Sequence, residues 1–418
     1  MDKHDLRKMK KLVLFGAGNI GRSFIGQLFS RSGHEVVFVD IVEPIIEALN
    51  QRRSYNVIIK GDKEEIINVN HVRGVLASDK DKVVEEVSTA DIIASCVGNN
   101  ALPHIIPLIA KGLVKRYKEN DDLPLDIIIA LNMRNAAEYF KKELSKITGN
   151  DYPLKSLVGL VETSIGKMVP IMTKEDMETD ILQIFAEPYN NLILDKKAFK
   201  NPIPDVKGLF PKDNMKVWVD RKLFIHNLGH AAISYLGYLH NRKFIYLHEA
   251  LIVKKLYNQT RETMMQAAEI LMKEYPGEFT KKDLEDHIDD LLKRFMNKAL
   301  GDTIYRVGRD LLRKLGPEDR LVGAIKMGLA HNMNVDKILY ALVCGFYFRA
   351  VDESGDMFEK DIEFVEKYFK NGIEYTVVNV CGFSRDKHRD IIRKCEKYSE
   401  EIKVLYKIKG SNMSKLEK

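Results

Sequence analysis

Short apolar runs alternate with amphipathic stretches through the first half of the chain. Lys11–Phe15 is apolar and reads as a strand, and after two glycines the run Asn19–Ser32 has helical periodicity. Glu35–Asp40, rich in Val and Phe, reads as a second strand, and Pro44–Arg53 as a helix. Ala90–Gly98 and Leu125–Leu131 are nearly continuous apolar runs, the pattern of parallel strands covered on both faces. Leu154–Val161 and Ile181–Glu187 are expected to extend the same sheet. Strand and helix patterns that alternate in this way specify a doubly wound α/β domain.

The pattern changes after Asn201-Pro202-Ile203-Pro204, with Gly208 and Pro211 close behind. Proline-preceding residues and glycine disfavour regular structure, so the boundary is expected within 201–214. The division adopted is 1–205 for the α/β domain and 206–418 for a mostly α-helical domain. Helices are expected over Arg261–Glu274, Lys281–Lys298, Asp302–Leu315, Leu321–Ala330 and Asn334–Arg349. The lysine-rich end, Lys403–Lys418, is expected to fray.

Composition narrows the function classes. The chain has 418 residues, 45% hydrophobic and 30% charged, as in ordinary globular proteins. Its longest apolar run, Leu339–Phe348, is too short to span a bilayer, and Leu12–Phe15 is too short for a secretion signal. Cys96, Cys344, Cys381 and Cys395 show no C-x-x-C spacing, so neither a zinc site nor a disulfide framework is expected. That pattern fits a reduced, cytoplasmic setting. A net charge of +6 does not demand nucleic acid but suits an anionic small molecule. No membrane or nucleic-acid partner is expected, and oligomeric state is not encoded legibly.

Gly16-Ala17-Gly18-Asn19-Ile20-Gly21 fits G-x-G-x-x-G between a strand and a helix, the context in which the motif binds a dinucleotide. Gly16 suits the tight turn, Gly18 the close approach of a diphosphate, and Gly21 close packing of helix on strand. Phe15 and Arg22 flank the motif, and Arg22 is a candidate for the diphosphate. Asp40 closes the second strand, where a carboxylate accepts from the adenosine ribose and repels a 2′-phosphate. With no arginine in the next three residues, NAD is the expected cofactor of this Rossmann-type domain. Val97, Gly98 and Asn132 follow later strands at the same carboxyl edge, though Asn99, Asn100 and Asn132 are also apt helix caps.

The second constellation is K-x4-N-x2-H, made by Lys222, Asn227 and His230. On an α-helix at ~100° per residue, Asn227 lies about 140° and His230 about 80° from Lys222, so all three can line one wall. A lysine with lowered pKa can take a proton from an alcohol while Asn and His bind the oxygen. The plainer alternative is a solvated lysine and a core histidine. His226 shares the face of Lys222 and is expected as a structural neighbour. Arg306, Arg309 and Arg313 are spaced as one helical stripe, with Lys314 adjacent, and would suit a phosphorylated sugar. The alternative there is a solvated face paired with Asp302 and Asp310.

Gly16–Arg22, Asp40, Glu187-Pro188-Tyr189 and Arg221-Lys222…Asn227…Gly229-His230 together resemble the polyol-specific long-chain dehydrogenases. Arg306-Val307-Gly308-Arg309-Asp310, Arg313-Lys314-Leu315 and Asp319-Arg320-Leu321 extend the likeness to nearly the whole chain. The resemblance implies a Rossmann-type domain, a helical C-terminal domain, NAD, and metal-independent hydride transfer. It implies Lys222 as general acid/base, with Asn227 and His230 on the reacting oxygen. The subgroup it favours acts on a hexitol phosphate; an unphosphorylated polyol or a hexuronate is the alternative, and a non-catalytic NAD-binding redox sensor a third. That subgroup often has Glu-Asn where this chain has Leu131-Asn132, so a proton relay through that glutamate has no carrier here.

Overall fold

The computed structural model describes residues 9–407 apart from positions 62, 121, 134, 171 and 173. The chain divides into two compact units, Met1–Trp218 and Val219–Lys418. Residues 408–418 of the tail expected to fray lie outside the described part.

The first unit is built on β1 (Lys11–Phe15), β2 (Glu35–Asp40), β3 (Ser54–Lys60), β4 (Glu64–Asn70), β5 (Val72–Leu76) and β6 (Ile92–Ser95). It continues with β7 (Leu125–Ile129), β8 (Val158–Ile165), β9 (Ile184–Ala186), β10 (Leu192–Asp195) and β11 (Leu209–Lys212). Eight of them form one sheet in the order β11-β10-β8-β7-β6-β1-β2-β5. All its pairings are parallel except β8 with β10. Leu12 and Leu14 point to one core, and Val13 and Phe15 to another, so β1 is covered on both faces. From β1 the chain winds outward to β2, and it returns to the other side of β1 at β6. That reversal opens a crevice at the carboxyl ends of β1 and β6, where such sheets bind ligands.

The expected strands at Lys11–Phe15, Glu35–Asp40, Ala90–Gly98 and Leu125–Leu131 are present. Two expectations need correction. Leu154–Leu157 is a helical turn and only Val158–Ile165 is strand. Ile184–Ala186 does not extend the main sheet; it pairs with β3 in a separate sheet of order β4-β3-β9. The hairpin of β3 and β4 was not expected, although Val57, Ile59 and Val69 are buried in its alternation. β11 pairs with β10, which keeps residues beyond 205 in the first unit.

The second unit is helical. Leu228–His240 is buried along nearly its whole length. It packs on Lys254–Glu274, Asp336–Phe346 and the short helix Ile304–Gly308. Gly229 permits one of these contacts, because a Cβ there would lie 2.5 Å from Met264 Sδ. The helix expected over Asp302–Leu315 is broken into Ile304–Gly308 and Leu311–Lys314. Gly308 is pressed against Phe348 and Ser234, Arg309 is extended, and Asp310 takes a left-handed φ of 76°. The buried Asp361 carboxylate accepts the freed Asp310 and Leu311 N–H groups at 3.0 and 2.7 Å, which stabilises the break.

Candidate active site

In the first unit the glycine turn is formed at the end of β1. Gly16 has φ 101°, and its missing side chain leaves room for Cys96 and Val97 at the end of β6. A Cβ on Gly21 would overlap the Gly16 carbonyl oxygen, so the helix can start that close to the strand only with glycine. At exposed Gly18 nothing lies within 4 Å of a Cβ position. The first helical bond runs from the Arg22 N–H to the Gly18 carbonyl at 3.0 Å, so the N–H groups of Asn19, Ile20 and Gly21 precede the ladder. This is a cradle of the kind a dinucleotide diphosphate occupies. Phe15 and Ala17 are buried beneath it, and Val97, Gly98 and Asn132 stand at the same strand ends.

Asp40 holds this turn as well as facing it. Its Oδ2 accepts the Ala17 N–H at 2.6 Å and its Oδ1 the Val42 N–H at 3.0 Å. Arg22, a candidate for the diphosphate by sequence, is engaged by the protein's own backbone. It is buried, and its guanidinium donates to the carbonyls of Ala17, Ile181 and Leu182 at 2.7, 3.0 and 2.7 Å. It ties the turn to the segment before β9, and Tyr55 donates to its carbonyl at 2.7 Å. Leu131 is buried among apolar neighbours.

In the second unit Lys222–Asn227 is a π-turn, with the Leu228 N–H bonded to the Leu223 carbonyl five residues back. In i→i+5 geometry a turn takes in more residues than an α-turn, so residues five apart lie closer to one face than on an α-helix. Lys222 and Asn227, five apart, therefore share a face more closely than α-helical spacing predicts. Burial, with the Arg320 charge second, lowers the Lys222 pKa to about 8. His230 begins the following helix and stacks on Phe295, ring centres 4.0 Å apart. Its Nε2 lies 3.3 Å from Asp302 Oδ2. Burial and then Arg306, Arg320, Lys314 and Arg294 hold the His230 pKa well below its ordinary value, so the ring is neutral. His226 is buried edge-on to His230 and also held neutral, mainly by burial, as befits a structural neighbour.

The arginine stripe is not assembled. The break at Asp310 separates Arg306 from Arg313, and each pairs with a carboxylate nearby. Arg306 contacts Asp302. Arg313 donates to Asp310 at 2.5 Å and to Asp319 at 3.3 Å. Arg309 lies over the rings of Tyr305 and Phe358. Lys314 is buried and donates to the Val307 carbonyl at 2.6 Å. Of these four, Arg306 and Lys314 act on His230 electrostatically. The helix Leu228–His240 fixes this segment, with Ser234 donating to Ile304 and Tyr235 to Gly308 at 2.8 and 3.2 Å.

Two groups at this site drew no role from sequence. Arg320 appears there only within a motif, and Asp302 only as a partner for Arg306. Nothing in the spacing signals that either faces the lysine–histidine turn. Among the described residues no three His, Cys, Asp or Glu side chains converge to hold a metal ion, and no helix is long and apolar enough to cross a membrane.

Comparison with known proteins supplies the context. Residues 10–208 match the model of the mannitol dehydrogenase Rossmann domain, and 214–376 that of the mannitol dehydrogenase C-terminal domain. Mannitol-1-phosphate 5-dehydrogenase of Lactococcus lactis subsp. cremoris strain MG1363 is 31% identical over 386 residues, covering 91% of this chain and 96% of the relative. The fold is shared with substrate-free D-sorbitol dehydrogenase, at TM-score 0.79 and 15% identity over 94% of this chain and 93% of that one. It is shared also with Pseudomonas fluorescens mannitol 2-dehydrogenase, solved as a ternary complex with NAD and D-mannitol. There the TM-score is 0.73 and the identity 14%, over 96% of this chain and 95% of that one.

Proposed function

The chain belongs to the mannitol dehydrogenase family as an NAD-dependent polyol dehydrogenase, and we propose that it interconverts mannitol 1-phosphate and fructose 6-phosphate. The observation that carries the chemistry is the half-buried Lys222, its pKa lowered to about 8, at the start of a π-turn that ends at Asn227.

Gly16, Gly18 and Gly21, with the N–H groups of Asn19 and Ile20, fit the diphosphate of NAD, and Asp40 fits its adenosine ribose. When bound, NAD supplies the acceptor for the hydride that leaves the substrate carbon. Lys222 Nζ, neutral above a pH of about 8, takes the proton of the substrate hydroxyl as its carbon is oxidised. In the reverse direction the ammonium returns that proton to the developing alkoxide. Asn227 and neutral His230 hold the oxygen, where hydrogen bonds strengthen as charge develops. Phe295 fixes the plane of the imidazole by stacking.

The phosphate assignment is supported by the arginines whose charge reaches His230, namely Arg306, Arg320 and Arg294, and by the similarity to a mannitol-1-phosphate 5-dehydrogenase. A second reading, an unphosphorylated polyol or hexuronate, is favoured by the pairing of Arg306 with Asp302 and of Arg313 with Asp310. NADH consumption with fructose 6-phosphate, fructose and hexuronates separates them. The proposal expects fructose 6-phosphate to exceed fructose in kcat/KM by a factor of at least about 100, the worth of a few kcal/mol from charge-assisted bonds. Equal rates with the free sugar, or a preference for a hexuronate, would reject it.

A further inference from the structure

The guanidinium of Arg320 is buried beside the lysine–histidine turn, and its contacts fix its place. Its Nε donates to Asp319 Oδ1 at 2.7 Å, and its own backbone N–H donates to the same oxygen at 2.7 Å. Its Nη1 reaches the Asn227 carbonyl at 3.3 Å. Arg320 is 8% exposed, so this fork is shielded from water. Asp319 is half-buried; burial pushes its carboxyl upward, yet Arg320 and Arg313 hold it below its usual value, so it stays ionised. Asn227 ends the π-turn that Lys222 begins.

We propose that Arg320 is a positioning residue for the proton transfer, clasping the Asn227 end of the π-turn while placing a fixed positive charge beside Lys222. The proposal rests on the reading of Lys222 as the proton carrier. Two physical effects follow from the one placement. The planar fork is anchored by Asp319 at one edge and reaches the turn with the other, which a point-charge ammonium cannot do in the same way. The charge disfavours protonation of Lys222, adding to the larger effect of burial.

Other titratable and charged groups pack around the turn. On its own element Asp220 accepts from Tyr275 at 2.5 Å, and His226 and His230 are neutral. The helix Lys281–Phe295 brings His287, held neutral mainly by burial, and Arg294, whose charge acts on His226, His230 and His287. The helix Lys254–Glu274 presents Met264 to Gly229. Asp302 is paired with Arg306 and faces His230. The Arg320 charge acts on Lys222, on His230 and on Lys314.

The test is the pH dependence of kcat/KM for mannitol 1-phosphate oxidation in the full-length enzyme with saturating NAD. Arg320→Leu should move the rising limb upward from about 8 toward the ordinary lysine value of about 10.4. The rate at neutral pH then falls tenfold for each unit of displacement, while KM changes by less than about threefold. Arg320→Lys keeps the charge and should return the limb to near 8, with kcat still below wild type. A purely structural arginine would lower thermal stability in Arg320→Leu and leave the limb in place, and that result overturns the proposal. Should Arg320→Leu not fold, Arg320→Gln serves, with amine labelling of Lys222 against pH, read by mass spectrometry, as a measurement independent of turnover. The limb and the labelling midpoint must both rise. A limb that persists in Lys222→Met rejects the proton-carrier reading itself. A limb that vanishes in Lys222→Met yet ignores Arg320→Leu and Arg320→Gln rejects only the present inference.

Discussion

Lys222, Asn227 and His230 stand on a backbone that widens into a π-turn, whereas Arg306, Arg309 and Arg313 stand on one that breaks at Asp310. Both sets look like helical faces when counted along the chain. In the first, i→i+5 bonding brings the lysine and asparagine closer together than α-helical spacing predicts. In the second, a left-handed residue and an Asp361 cap turn the later arginine away from the earlier one. The contrast extends to charge. Lys222 is half-buried, and burial together with the Arg320 charge lowers its pKa to about 8. Arg306 and Arg313 each meet a carboxylate four and three residues away in sequence. Spacing becomes geometry only through the backbone that carries it, and basic residues followed or preceded at helical intervals by acids tend to pair with them.

The strongest way to break this comparison is to remove the lysine. Lys222→Met should lower kcat by about 10² to 10⁴, the worth of a positioned acid/base, while NADH binding measured by fluorescence titration stays near wild type. Substantial turnover in that variant would leave the two segments without the functional difference drawn here. Next in size is Arg306→Ala. Loss of a charge-assisted contact predicts a rise in KM for fructose 6-phosphate of about 10- to 100-fold, without a comparable change for fructose. Arg306→Ala with unchanged KM for both sugars would place the phosphate elsewhere.

Smaller effects sharpen the comparison. Asp40→Ala should weaken NAD binding about tenfold and narrow the preference over NADP, measured by initial rates with each cofactor. Part of that loss comes from the turn, because the Ala17 N–H loses its acceptor. An unaltered preference would mean that Asp40 serves the turn alone. Arg313→Ala, whose guanidinium is already committed to Asp310 and Asp319, should change KM by less than about threefold. A large effect there would show that the broken stripe still acts as one anion site.

The parallel sheet was legible because its strands are short apolar runs covered on both faces, and β2 ends where the sequence places it, at Asp40. The glycine turn was legible because each glycine answers a steric demand that shows in the motif itself. The β3–β4 hairpin carries its alternation in the sequence, and β9 pairs with β3 and not with the main sheet that its apolar run suggests. Three residues of apolar strand carry no mark of which partner they pair with. At the site the identities of Lys222, Asn227 and His230 were readable, but the π-turn over Lys222–Asn227 was not, since α and π backbones share the same local residues. Arg22 was visible as a cation beside the glycines, yet its burial against three carbonyls depends on β9 and the segment before it, far along the chain. Arg320 is some ninety residues from Asn227, which is why its contact needed the folded chain.

The most direct measurement is the pH dependence of kcat/KM in both directions with wild-type enzyme and Lys222→Met. A neutral lysine is needed for oxidation and an ammonium for reduction. Oxidation of mannitol 1-phosphate should therefore climb tenfold per pH unit and level off above about 8, and reduction of fructose 6-phosphate should fall above the same value. Both limbs should vanish from the residual activity of Lys222→Met. Limbs near 8 that survive in that variant, or a wild-type profile with no limb between 7 and 9, would contradict the assignment of Lys222 as the group that moves the proton.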